Sequence, residues 1–225
     1  MNDLGLREKS VISQTNGFAA TMPQLNYHRM LRTVDSNQKI VVMASSTGGT
    51  EAIERILEKL PEDIPPMLIV QHMPSGFTKL FADRLNKIYP MEIREAKDKD
   101  YLQKGLVLIA PADRHMRLMR CGSKLMVECF IGQKIHGVMP AADVLFESVA
   151  PIMRRNAIGV ILTGMGADGA RGLMLMHNSG AKTIGQNKET CVVYGMPKVA
   201  FDLGALDVQV PIDKVAETIR SYLTL

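Results

Sequence analysis

Three segments of the 225-residue chain set a hydroxyl, an imidazole and a carboxylate directly behind short apolar runs. The first reads Val41-Val42-Met43-Ala44-Ser45-Ser46-Thr47-Gly48-Gly49, a strand that passes into hydroxyls and then into two glycines opening a helix. The glycines allow a tight turn and leave the first helical N–H groups unpaired. Ser46 therefore sits among donors with the positive end of a helix dipole behind them. An attacking serine and its oxyanion need that setting. A phosphate loop of small residues, or a capping Ser/Thr pair, would use the same residues.

The second segment is Leu68-Ile69-Val70-Gln71-His72-Met73-Pro74, with the histidine at the level of Ser46 if the two strands are neighbours. A base for Ser46 and a packed, hydrogen-bonded imidazole are both readings of His72 alone. The third, Gly159-Val160-Ile161-Leu162-Thr163-Gly164-Met165-Gly166-Ala167-Asp168-Gly169, contains G-x-G-x-x-G between a strand and a helix. With Glu189 about 20 residues further on, it matches a dinucleotide fingerprint in form. A carboxylate at Asp168 would repel a pyrophosphate held in that turn. It suits the acid that orients an imidazole, or an ordinary helix N-cap. The chain order Ser46, His72, Asp168 is not that of the α/β-hydrolases, chymotrypsin or subtilisin, and no G-x-S-x-G elbow is present. Geometry would have to make this triad, and its chemistry would be acyl transfer: His72 takes the Ser46 proton, Ser46 attacks an ester carbonyl, and backbone N–H groups hold the oxyanion.

The elements around these segments must bring them together. From Lys39 onward, apolar runs of four to six residues alternate with amphipathic stretches of ten or more, the pattern of βα units and a parallel sheet. Strands are expected at 40–44, 67–71, 107–110, 158–162 and 183–185, and helices at 50–60, 77–87, 141–153, 170–178, 197–203 and 212–223. Pro140, and Pro211 with Asp213, mark two of the helix starts. Between Met91 and Ile135 the text is strand-rich, with 116–120 pairing 125–129 across Cys121-Gly122-Ser123. The expected fold is α/β: a doubly wound, mainly parallel sheet with helices on both faces and an inserted antiparallel β-hairpin. Ligands of such sheets bind beyond the carboxyl ends of the strands, where Ser46, His72 and Asp168 all fall. Residues 1–38, rich in Asn, Gln, Ser and Thr without period, read as a partly disordered leader to a domain over 39–225.

Composition narrows the function classes. An apolar share of 46% excludes a disordered chain, and apolar runs such as 158–163 are far too short to span a bilayer. No uninterrupted apolar stretch of a secretory signal opens the chain, so a cytoplasmic protein is expected. Cys121, Cys129 and Cys191 are odd in number with no C-x-x-C spacing, and the five histidines form no H-x-H or H-x-x-x-H pair. Neither disulfides, nor a metal, nor any other cofactor is expected. A net charge of +4 without a Lys/Arg block or stacking aromatics speaks against nucleic acid and suits an acidic protein partner, or none at all. Without heptads or an uncovered apolar helix, a monomer is the default.

These segments resemble the catalytic domain of the CheB chemotaxis protein-glutamate methylesterases. The resemblance runs from about Ile40 to the C-terminus. It is carried by Ser46-Thr47-Gly48-Gly49-Thr50-Glu51-Ala52-Ile53, Gln71-His72-Met73-Pro74-Ser75-Gly76-Phe77-Thr78, Ile109-Ala110-Pro111-Ala112-Asp113-Arg114-His115-Met116, Leu162-Thr163-Gly164-Met165-Gly166-Ala167-Asp168-Gly169 and Gly195-Met196-Pro197. It implies that Ser46, His72 and Asp168 form the triad and that the backbone N–H groups of Thr47 and Met165 form the oxyanion hole. The implied reaction is hydrolysis of γ-glutamyl methyl esters on the cytoplasmic helices of chemoreceptors to glutamate and methanol, with glutamine deamidation as a second activity. Chemotaxis signalling proteins acting in trans are implied partners.

Two departures stand out. Ala44-Ser45 replaces the usual Gly-Ala before the serine, making Ser45 a competing hydroxyl, and Val138-Met139-Pro140-Ala141 replaces His-Arg-Pro-Ser before the Asp143 helix. The family commonly carries an N-terminal receiver domain of roughly 120 residues, which a 38-residue leader cannot supply, so control by phosphorylation in cis is not expected. The readings from other classes are a catalytically silent receptor-binding paralogue and a dinucleotide-binding module built on the Gly164 to Gly169 loop.

Overall fold

The computed structural model describes Val34 and residues 37–224, all within one compact unit, 32–225. Apart from Val34, Asn37 and Gln38, the segment read as a leader lies outside the described residues. Val34 itself is buried; its N–H donates to the Leu102 carbonyl and its carbonyl accepts from Leu125 N–H.

Nine strands and six α-helices follow in chain order among the described residues: β1 (Ile40–Ser45), α1 (Gly49–Leu57), β2 (Met67–Gln71), α2 (Phe77–Ile88), β3 (Glu92–Glu95), β4 (Leu106–Ile109), β5 (His115–Cys121), β6 (Lys124–Phe130), α3 (Ala142–Met153), β7 (Ala157–Ile161), α4 (Ala170–Asn178), β8 (Lys182–Gln186), α5 (Met196–Asp202), β9 (Val208–Val210) and α6 (Ile212–Leu223). Seven strands form one all-parallel sheet in the order β3-β4-β2-β1-β7-β8-β9. The chain winds outward from β1 through β2, then returns to the other side of β1 with β7. That reversal opens a crevice at the carboxyl ends of β1 and β7.

β1 is buried along its whole length, as a central parallel strand must be, and its side chains alternate between two cores. Ile40, Val42 and Ala44 face a core shared with Leu145 and Phe146 of α3, Leu173 of α4, and Leu118 and Leu125 of the hairpin. Val41 and Met43 face Ile53 and Ile56 of α1, Phe81 and Leu85 of α2, and Val215 and Ile219 of α6. Helices thus cover both faces of a doubly wound sheet. Full burial of each of these large side chains contributes about 1.5 to 3 kcal/mol against exposure.

β5 and β6 form a separate antiparallel hairpin with Cys121 opposite Lys124, so Gly122-Ser123 make the turn and Gly122 takes φ 60°. The hairpin braces α3. Leu118 N–H donates to Ser148 Oγ and Arg120 to the Ile152 carbonyl, while His115 Nδ1 accepts from Ala141 N–H at the helix start. Two strands, β3 and β9, add to those the sequence suggests. Both lie at sheet edges, and β3 reads Glu-Ile-Arg-Glu with only Ile93 fully inward.

Candidate active site

β1 and β2 pair in parallel with Ser45 opposite Gln71, so the next residues, Ser46 and His72, leave the sheet side by side. The His72 N–H donates to the Ser45 carbonyl at 3.1 Å, and the Ser46 N–H donates across the crevice to the Thr163 carbonyl at 3.0 Å. Gly164 lies against Ser46: a Cβ there would stand 2.7 Å from Ser46 Cβ and 2.4 Å from Met196 Sδ. Gly48 takes φ 80°, which turns the chain from Thr47 into α1.

His72 Nε2 and Asp168 Oδ2 are 2.8 Å apart. Asp168 is 2% exposed and also accepts the N–H groups of Ala142 and Asp143 at the start of α3, at 2.6 and 3.1 Å. Burial pushes this carboxyl up, but the His72 hydrogen bond and the two backbone N–H groups outweigh it and hold Asp168 below its ordinary value. An ionised carboxylate only accepts, so the proton of the pair is on His72 Nε2, which in a neutral imidazole leaves Nδ1 bare. Nδ1 is then the nitrogen able to take a proton from Ser46. No hydrogen bond joins Ser46 Oγ to His72 among the described residues; such contacts commonly tighten only when substrate binds.

The N–H groups of Thr47 and Met165 donate to no acceptor among the described residues. Thr163 steadies both loops: its hydroxyl donates to the Thr47 carbonyl at 2.9 Å and accepts the Val193 N–H at 3.0 Å. The Gly164 carbonyl takes the N–H groups of Gly195 and Met196, so the Gly195-Met196-Pro197 block braces the loop behind Met165. In this loop the carboxylate of Asp168 turns inward to His72 and α3, and Gly169, at φ 85°, starts α4.

Ser45 is not beside Ser46 in the crevice. It is fully buried, and its hydroxyl donates to Gln71 Oε1 at 2.6 Å. Gln71 Nε2 donates in turn to the carbonyls of Ser46 and His72, both at 3.0 Å. Gln71 is thus a strut for both residues. As the last residue of a strand it carries no local sign of that task, although it stands in the Gln71-His72-Met73 motif.

Among the described residues, His136, Asp143 and Asp168 have donor types suited to a divalent cation, with ligand atoms within 4.8 Å of one another. All four carboxylate oxygens already have donors: Gly172 N–H and His136 on Asp143, and Asp143 N–H, Ala142 N–H and His72 on Asp168. The cluster is held by these hydrogen bonds. Met165 is 76% exposed, and Phe77, Leu80, Ile131 and Val192 are exposed apolar residues on segments that follow β2, β6 and β8.

Comparison with known proteins bears on the family and the fold. The CheB methylesterase family matches residues 41–219. A protein of Bdellovibrio bacteriovorus named protein-glutamate methylesterase/protein-glutamine glutaminase is 51% identical over 84% of the chain and 53% of its own length. One of that name from Shewanella oneidensis, numbered 3, is 44% identical over 93% of the chain and 61% of its own. The crystal structure of the Thermotoga maritima CheB methylesterase catalytic domain superposes with a TM-score of 0.80 at 40% identity, over 82% of this chain and 98% of that one. The chain spans about half the length of the curated relatives it matches. With family, fold and sequence in agreement over the whole sheet, the chain belongs to the CheB methylesterase family.

Proposed function

We propose that the protein is a serine hydrolase that cleaves γ-glutamyl methyl esters on chemoreceptor helices. The observation that carries this is the 2.8 Å pair of His72 Nε2 and Asp168 Oδ2, at the mouth of the sheet where Ser46 follows the neighbouring strand. Asp168 fixes the tautomer with Nδ1 bare, and His72 removes the Ser46 proton through it. Ser46 Oγ attacks the ester carbonyl, and the N–H groups of Thr47 and Met165 receive the oxyanion. Collapse of the tetrahedral intermediate expels methanol, which takes the proton from His72. Water activated by the same imidazole then releases glutamate and restores Ser46. An amide can follow the same route with ammonia leaving, so deamidation of receptor glutamines is the second activity we assign, in keeping with the double names of the relatives.

The exposed Met165, Phe77 and Val192 favour a side chain displayed on a protein surface over a free small molecule. Among the described residues no helix is long and apolar enough to cross a membrane. We place the reaction at the cytoplasmic helices of receptors. The test is methanol release from methylated receptor membranes by wild type and by Ser46→Ala. Release by wild type alone is expected; equal release by the two would overturn the assignment of Ser46, and none by either would favour a silent receptor-binding protein.

A further inference from the structure

Beside the candidate site two helices begin together, and each takes a carboxylate from the start of the other. Neither α3 nor α4 has its own N-cap side chain over its first N–H groups. Asp168, two residues before α4, accepts the N–H groups of Ala142 and Asp143 in α3. Asp143, the second residue of α3, accepts the N–H of Gly172 in the first turn of α4 at 2.7 Å. Helix starts combine unpaired donors with partial positive charge, so a buried carboxylate is stabilised at each end of this exchange. Glycine at 172 permits the approach, because a Cβ there would lie 2.6 Å from Phe146 Cβ and 3.1 Å from the Asp143 carbonyl oxygen.

Asp143 is itself buried, and its second oxygen is 2.9 Å from Nε2 of His136, an exposed residue held at φ 52°. A second imidazole–carboxylate pair therefore stands one peptide away from the first. The linkage runs from His72 to the Asp168 carboxylate, then to the Asp143 N–H, and from the Asp143 side chain to His136.

We infer that Asp143 is a positioning residue for the reaction and that His136 holds it in place. Asp143 touches no reacting atom. It pins the start of α3 to the start of α4 and so fixes the two N–H groups that orient Asp168, and through Asp168 the ring of His72. Reaction rates fall steeply with small displacements of such groups, by about 100-fold for about 1 Å. The inference rests on the triad reading above, and one of its two measurements is independent of turnover.

That measurement is the low-field proton NMR signal of His72 Nε2–H, identified by its loss in His72→Gln; the other is methanol-release kinetics. For Asp143→Ala we expect kcat to fall about 10- to 100-fold with KM within about 2-fold, and the low-field signal to shift or broaden. Asp143→Asn keeps an oxygen for the Gly172 N–H and should return kcat to within about 5-fold of wild type, with the signal restored. His136→Ala should fall between Asp143→Ala and wild type. A loss of stability alone would lower the melting temperature but leave kcat per folded molecule and the signal unmoved. That result in Asp143→Ala overturns the inference, as does an Asp143→Asn protein no better than Asp143→Ala. Wild-type behaviour of His136→Ala would remove His136 from it. Should Asp143→Ala not fold, Asp143→Glu, whose carboxylate is one methylene too long for Gly172, must show the same loss. If wild type releases no methanol, the esterase reading fails, while the signal in Asp143→Ala still decides the positioning.

Discussion

The Ser45 hydroxyl and Gln71 Oε1 meet at 2.6 Å between the last residues of two adjacent strands, inside the sheet. The bond sets the Gln71 amide so that its nitrogen reaches the carbonyls of Ser46 and His72. It also explains Gly49, where a Cβ would lie 2.2 Å from Gln71 Oε1 and 2.6 Å from Ser45 Oγ. A hydroxyl that sequence presents as a rival to Ser46 is thus part of what holds Ser46 still.

Ser45→Ala is accordingly expected to keep most activity, within about 5-fold, while lowering stability by about 1 to 3 kcal/mol because a buried acceptor loses its donor. Methanol-release rates and urea unfolding midpoints check this together. A variant as inactive as Ser46→Ala would show that turnover depends on the Ser45 hydroxyl, against this expectation.

Gln71→Leu removes the strut and leaves the carbonyls of Ser46 and His72 without their donor. The expected outcome is a loss in kcat of about 10- to 100-fold, with far-ultraviolet circular dichroism like that of wild type. Unchanged kcat would show that the two strands alone set the geometry.

Asp168 governs a pH dependence of stability whose sign is fixed. Its folded-state value lies below the ordinary one, so its contribution is fully present above the unfolded carboxylate value and is lost as pH falls through the folded value. From this group, stability is flat near neutrality and declines only in strongly acidic solution. Unfolding of wild type and Asp168→Asn measured from pH 7 down to pH 2 should show a smaller acid-linked loss in the variant. Its kcat should fall by about 10⁴-fold, since the amide no longer selects the tautomer with Nδ1 bare.

Thiol chemistry distinguishes the three cysteines. Burial pushes Cys129 up to about 12 and Cys191 up to about 11, whereas Cys121 is exposed at the hairpin turn. A disulfide reagent at pH 8 should label Cys121 first, with no effect on methanol release, and the other two only on unfolding. Rapid labelling of Cys191 in the native protein would contradict its surroundings.

Much of this arrangement is legible in the sequence because the sheet interior is so apolar. The 67–71 strand and the 170–178 and 212–223 helices stand at the residues their patterns suggest, and the Gly122 hairpin pairs as its alternation implies. β3 and β9 are not singled out because both are short edge strands, and β3 also carries charge, one way an edge avoids pairing with other chains. Ser46, His72 and Asp168 can be picked out because each follows an apolar run. Gln71 and Asp143 cannot be picked out that way: one reads as the end of a strand and the other as an acid near a helix start. Their partners, Ser45 and Gly172, lie 26 and 29 residues away, a relation no local pattern records.

The strand order also puts the site on a timetable. β1 and β2, which carry Ser46 and His72, are joined by a single βα unit, but β7 reaches β1 only when Ala157 comes back to Ile40. Closing that longer loop costs more entropy, and Asp168 further needs α3, itself braced by the hairpin. During synthesis the serine and histidine can stand side by side early, while their carboxylate is still unmade. If Ser46, His72 and Asp168 act together as proposed, then on refolding recovered activity should trail the pairing of β1 with β2.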